Sequence, residues 1–109
     1  MRRIVAALVP LALLVSGGAH AQSGNPEAGA LKAAQCAGCH GIPGYRNAYP
    51  AYRVPKLGGQ HAEYIVAALQ GYKSGARRHP TMQAIAAGLN EQDMADLAAF
   101  FAAAGGQSQ

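Results

Sequence analysis

The chain has 109 residues, with nine lysines and arginines against five aspartates and glutamates, a formal charge of +4. A balance this mild excludes the strongly basic face that nucleic-acid binding calls for. With no tryptophan, two phenylalanines and two cysteines, the chain has a thin core and needs a staple, either one acting through its cysteines or a large apolar object that replaces missing side chains.

In chain order, Arg2 and Arg3 precede an apolar run from Ile4 to Val15, followed by Ser16-Gly17-Gly18 and then Ala19-His20-Ala21. A basic start, an apolar run and an A-x-A site predict a secretory signal peptide over residues 1–21. A membrane anchor is the alternative, but spanning takes about 20 apolar residues and Pro10 interrupts this run. No cysteine stands at the cleavage site to carry a lipid. The expected mature protein is one soluble exported domain, residues 22–109, with no stable membrane insertion after cleavage. Without Arg2 and Arg3 it carries seven basic and five acidic residues, a net of +2. The basic residues Arg46, Arg53, Lys56, Lys73, Arg77 and Arg78 fall in the middle, while Glu91, Asp93 and Asp96 cluster late. This distribution fits a solvated surface or a docking patch for an acidic partner.

Three helices are expected, with little sheet, so the fold class is all-α. The first starts at Asn25-Pro26-Glu27, a capping residue, proline in the first helical position and an acid in the first turn, and runs through Leu31 towards Cys36. A long irregular segment follows from Gly41 to Lys56, with Pro43, Pro50, Pro55 and three tyrosines; loops of this length are usually functional or packed against something. The second helix begins after Gly58-Gly59, carries Ile65, Ala68, Leu69 and Tyr72 at helical spacing, and ends at Ser74-Gly75. A shorter polar loop, GARRHPTM, leads to Met82. The third helix opens at Asn90 with Asp93 three residues on, and puts Met94, Leu97, Ala98 and Phe101 on one face. Gly105 to Gln109 reads as a frayed tail.

The chemistry lies in Cys36-Ala37-Gly38-Cys39-His40. Cysteine, two residues, cysteine and histidine is the attachment pattern of c-type haem. On a helical turn positions i and i+3 share a face, so both thiols can reach one edge of the porphyrin, and the next residue offers an imidazole to the iron. Small residues at Ala37 and Gly38 let the backbone approach the ring. A thioredoxin-like dithiol would need a strand–helix–strand setting, a zinc site two more ligands at matching spacing, and a purely structural disulfide would close too short a loop to constrain the unfolded chain much.

The chain resembles the class I c-type cytochromes, within them the bacterial cytochrome c4/c5/c553-like group. The resemblance spans essentially all of residues 22–109 and rests on AQCAGCHG at Ala34–Gly41, VPKLGGQHAEYIVAALQGYKSGARRHPTM at Val54–Met82 and LNEQDMADLAAFFA at Leu89–Ala102. It implies a small cytochrome c fold, three main helices and long loops wrapped around one covalent haem c. It also implies thioethers at Cys36 and Cys39 and His40 as the proximal iron ligand. Pro55 matches the proline whose carbonyl receives the proximal imidazole, a bond that fixes the tautomer and raises ligand basicity. Gly75, Arg77, Pro80 and Met82 match a G-x-R-x-x-P-x-M run that ends in the distal ligand. Cytochromes c4 have two haem domains, whereas this sequence has one haem motif.

Four side chains compete for the sixth position: Met82, Met94, His61 and His79. Met94 lies on the apolar stripe of the third helix, and His61 sits near the start of the second, where exposure or capping is common. His79 has the higher intrinsic affinity for ferric iron, but it precedes Pro80, which biases it to an extended backbone. Met82 fits the run. His/Met ligation raises the reduction potential and leaves no vacant position for a substrate, so the expected role is a periplasmic one-electron carrier and not an enzyme. Its redox protein partners, donor and acceptor, are not named by the sequence. The alternatives are an electron-transfer subunit bound to a dehydrogenase or oxidase, or a haem sensor or enzyme with a labile sixth ligand. Arg77 is a candidate propionate contact. Tyr45, Tyr49 and Tyr52, with Arg46 and Arg53, could pack around the haem edge, bond its propionates or form a docking surface.

Overall fold

In the computed structural model, described for residues 23–49 and 51–104, helix starts follow the caps. Asn25, extended at φ −104°, accepts the Ala28 N–H on its side chain at 3.0 Å and opens α1 (Pro26–Lys32) with proline in the first turn. Asn90 opens α5 (Glu91–Ala103) through a reciprocal capping box: its Oδ1 accepts the Asp93 N–H at 2.8 Å, and Asp93 accepts the Asn90 N–H at 3.0 Å. Helix α3 (Ala62–Ser74) ends at Gly75, whose φ of 82° is left-handed and suits glycine. The signal peptide and the frayed tail lie outside the described residues.

Three expectations are corrected. The first helix does not run on to Cys36. It breaks at Ala33 (ψ −10°), where the Cys36 N–H donates to the Ala33 carbonyl at 2.9 Å, a bond three residues long that tightens the turn. A second helix, α2 (Ala34–His40), then carries the whole C-x-x-C-H motif. The segment 41–56 holds an antiparallel hairpin, β1 (Arg46–Ala48) with β2 (Ala51–Arg53), in register Arg46↔Arg53, Asn47↔Tyr52 and Ala48↔Ala51. GARRHPTM is not all loop: Pro80 is the first residue of α4 (Pro80–Ala87), so Met82 stands in a helical first turn. The all-α class holds, with five helices and this small hairpin among the described residues.

Helix α5 is the centre of the packing. It lies against α1 on one side and α3 on another, and α3 also packs on α4. Met94 and Leu97, each 1% exposed, are the largest fully buried side chains. With Ala33 and Leu89 they form the core, against which Cys36, Leu69, Phe100 and Phe101 pack half-buried. Met94 is therefore core, as its place on the apolar stripe predicts. The α1–α5 contact is pinned by charge: Lys32 reaches Asp93 at 2.8 Å and Asp96 at 2.6 Å. Among the described residues, no helix is long and apolar enough to cross a membrane.

Candidate functional site

The thin core leaves a cavity of about 410 Å³, within the ~300–1,000 Å³ of ordinary ligand sites. Cys36, Cys39, His40, Pro55, Arg77 and Met82, the six site residues named from the sequence, all line it. Its apolar wall comes from three helices and a loop, through Leu57, Ile65, Leu69, Ile85, Leu97 and Phe101. The helical spacing of Ile65, Leu69 and Tyr72 pointed to a buried face, and that face turns towards this cavity rather than towards another helix alone.

Helix α2 supplies both thiols and the imidazole. Neither thiol is in a disulfide, and burial pushes the Cys36 thiol up. A dithiol oxidoreductase needs its attacking thiol pushed down, so the environment of Cys36 argues against that reading. Among the described residues no three histidine, cysteine or carboxylate side chains converge as a zinc site would need. Ala37 and Gly38 do not line the main cavity. Ala37 borders a second hollow of about 310 Å³, and a Cβ built on Gly38 would meet nothing within 4 Å, so the protein's own packing does not require a small residue there.

His40 is oriented from outside its helix. Its Nδ1 lies 2.7 Å from the Pro55 carbonyl; the carbonyl can only accept, so Nδ1–H donates and Nε2 is the nitrogen left to face the cavity. Metal-binding histidines commonly donate their other ring nitrogen in this way. Met82 approaches from α4, so imidazole and thioether come from different helices. The other two candidates stand apart from this pair in different ways. His61 occupies the N-cap position of α3, exposed and without a side-chain cap bond, and does not line the cavity. His79 lines the cavity, but its Nδ1 accepts the Met82 backbone N–H at 3.3 Å.

The rest of the wall is aromatic and basic. The Arg77 guanidinium lies 4.7 Å from the Tyr72 ring centroid and 5.9 Å from that of Tyr64, and its Nη1 donates to the Tyr64 hydroxyl at 3.3 Å. Tyr52 and His79 meet edge to face at 4.8 Å. Of the hairpin residues singled out in the sequence, Tyr45, Tyr52 and Arg53 line the cavity; Arg46 and Tyr49 do not, and Tyr49 is 94% exposed. Tyr64 and Tyr72 were not weighed as site residues, although their spacing on α3 places them two turns apart on one helix. The donor set fits a covalently held haem: two thiols one helical turn apart, an imidazole of fixed tautomer, a thioether and an apolar wall with cations beside it.

Comparison with known proteins agrees with that fit. A family model for cytochrome c matches residues 27–104. Cytochrome c4 of Pseudomonas aeruginosa is 39% identical over 102 residues, covering 94% of this chain and 48% of that protein. Cytochrome c-554(548) of Halomonas halodenitrificans is 37% identical over 82 residues, 72% of this chain and 95% of that one. A crystal structure of reduced recombinant cytochrome c4 from Pseudomonas stutzeri superposes with a TM-score of 0.62 at 34% identity, over 75% of this chain and 46% of that chain. This chain thus spans about half the length of the cytochromes c4 it matches.

Proposed function

The chain belongs to the cytochrome c family, as a class I, c4-like member, and from that premise we propose that it is a one-electron carrier with a single His/Met-ligated haem c, exported to the periplasm behind a leader at residues 1–21. The carrying observation is the convergence of Cys36, Cys39, His40 and Met82 on one apolar cavity. Bound there, haem c supplies a one-electron couple at iron. Cys36 and Cys39 would hold it covalently and His40 would offer Nε2 from a ring fixed by Pro55. Met82 would offer a soft thioether, which favours the ferrous state and would raise the potential. Leu57, Ile65, Leu69 and Phe101, which line the cavity, would keep water from the ring. Arg77, braced by Tyr64 and Tyr72, would hold a propionate.

Were His40 and Met82 both to bind the iron, no position would be left for a substrate, so electron exchange with protein partners is the function these residues would serve. The exposed arginines Arg46 and Arg53 face each other across the hairpin, where like charges cost stability. Among the described residues, the ion pairs are those of Lys32 with Asp93 and Asp96, so neither arginine is neutralised by a carboxylate. An acidic partner surface would complement them.

The test uses holoprotein from the periplasmic fraction, whose mass should be that of residues 22–109 plus one haem. Met82→Ala should abolish the red charge-transfer band of a methionine–ferric iron bond and let the ferrous protein bind carbon monoxide. Its potential should fall by a sizeable part of the ~0.8 V range that axial ligation spans. An unchanged spectrum and potential would remove Met82 as the ligand; rapid carbon monoxide binding by the wild type would replace the carrier with a sensor or enzyme.

A further inference from the structure

Helix α4 is only eight residues long, and a helix of two turns has little stability of its own in water. Its start carries unsatisfied amides, of which Pro80 removes one by having none. Thr81 follows, and then Met82, whose amide donates to His79 Nδ1 at 3.3 Å. The bond is returned one residue further on: the His79 N–H donates to the Gln83 side-chain oxygen at 3.1 Å, while the Gln83 N–H donates to the His79 carbonyl at 2.8 Å. His79 is extended at φ −162° and ψ 104°, as a capping residue before proline should be.

Histidine is not among the usual capping residues. Serine, threonine, asparagine and aspartate lead because a short side-chain oxygen reaches the amide directly. What the imidazole adds is a ring. It meets Tyr52 of β2 at 4.8 Å and Tyr72 of α3 at 6.3 Å, edge to face in both cases. Such aromatic pairs have a preferred geometry and add to the burial of their area. One side chain therefore joins the hairpin, α3 and the first turn of α4, and the amide it holds is that of Met82.

We propose that His79 is a positioning residue for the distal ligand: by capping α4 through the Met82 amide, and by bracing that cap against Tyr52 and Tyr72, it holds the Met82 thioether in place. The inference rests on Met82 being the iron ligand. It also gives His79 a role that competes with ligation, because a ring turned to a metal through Nδ1 would give up the Met82 amide, and a large swing would leave Tyr52.

Exogenous imidazole reads this directly, since it enters only where the methionine has left, and its apparent affinity scales with the fraction of methionine-off protein. Ferric holoprotein is titrated with imidazole while the methionine–iron band is followed. His79→Leu, which fills space but accepts no hydrogen bond, should bind imidazole about five- to tenfold more tightly than wild type, the fold-change expected for a lost cap. His79→Asn restores a capping oxygen and should stay within about twofold of wild type. Gln83→Leu, which removes only the returning bond, should move the affinity in the same direction by about two- to threefold, and it carries the test if the leucine variant at position 79 gives no holoprotein. Wild-type affinity in both His79→Leu and Gln83→Leu would overturn the proposal. So would an asparagine variant as impaired as the leucine one, which would assign the effect to the ring or to ligation by His79. A wild type without the methionine–iron band, or a Met82→Ala variant that keeps it, refutes the ligand reading instead, whatever His79 does.

Discussion

Asp96 is the one buried charged residue among the described residues, 3% exposed in the middle of α5. Its carboxylate accepts the Asn25 backbone N–H at 2.8 Å, the Lys32 ammonium at 2.6 Å and the Gln92 amide at 2.8 Å. Hydrogen bonds to the charged form favour it, and these three, the Asn25 amide first, hold the Asp96 carboxyl down to about 2. A folded-state value below the ordinary 3.8 means that the linked stability is fully present above about pH 4 and is lost as pH falls through about 2. Asp96→Asn keeps the shape but loses the charge and turns a donor towards this ring of donors. Its melting temperature should therefore lie below wild type at pH 7, and the gap should narrow between pH 4 and pH 2. Parallel thermal melts across that range check it, and a gap independent of pH would assign the loss to the misplaced amide donor and not to the charge. The late acidic cluster thus loses two of its three members as a surface feature, since Asp93 and Asp96 are spent on Lys32.

Between α1 and α5 the contact is backbone against backbone. A Cβ added at Gly29 would lie 2.1 Å from the Asp96 carbonyl oxygen and 2.7 Å from the Phe100 Cβ. Two effects oppose each other in Gly29→Ala: alanine is better in a helix by about 1 kcal/mol, whereas overpacking costs about 1–3 kcal/mol and more when the obstacle is backbone that cannot turn away. The clash wins, so the variant should be destabilised by about 1–2 kcal/mol or more, read as a lower urea midpoint of the holoprotein; a gain in stability would mean that the two helices can separate at no cost. Nothing in the sequence singles out this glycine from its neighbours, because the partner backbone is 67 positions away. The ends of α1, α3 and α5 were legible for the opposite reason: Asn25, Gly75 and Asn90 act on amides and carbonyls within a few residues. Helix α4 fell between these cases. Its proline in the first turn is a standard signal, but its cap is a histidine, and the polar stretch Arg77-Arg78-His79-Pro80 read as a loop. The break at Ala33 had no glycine or proline to announce it, since a bond three residues long does the work. The hairpin's strands are three residues each, too short for alternation to register. At the site, the C-x-x-C-H spacing and the run to Met82 pointed to side chains that line the cavity, while the aromatic brace of Tyr52, Tyr72 and His79 depends on three elements meeting.

Seen as a whole, the fold is arranged around space that its own side chains do not fill. Met94 and Leu97 are its only large side chains with less than 2% exposure among the described residues, and both lie on α5. Leu97 also lines the cavity of about 410 Å³. A hollow of that size leaves the side chains that line it without packing partners on one side, which forfeits their dispersion contacts. Water entering at the open side offsets part of that, but it leaves Leu69 and Phe101 partly wetted, which weakens the reason for α3 and α5 to close. On the proposed function, the covalent haem is then the major part of the core, and the chain without it should not fold cooperatively. The prediction is made on Cys36→Ser/Cys39→Ser, which removes both attachment points while leaving every helix cap and the Lys32–Asp96 pair in place. This variant should show much weaker helical circular dichroism than the holoprotein and a broad, shallow urea response in place of a sharp transition. Helices α1 and α5 should be the last to lose protection in hydrogen exchange, because the ion pairs and the Gly29 contact join them without using the cavity. A haem-free chain that melts in one sharp step near the holoprotein's temperature would mean that the protein core alone carries the fold.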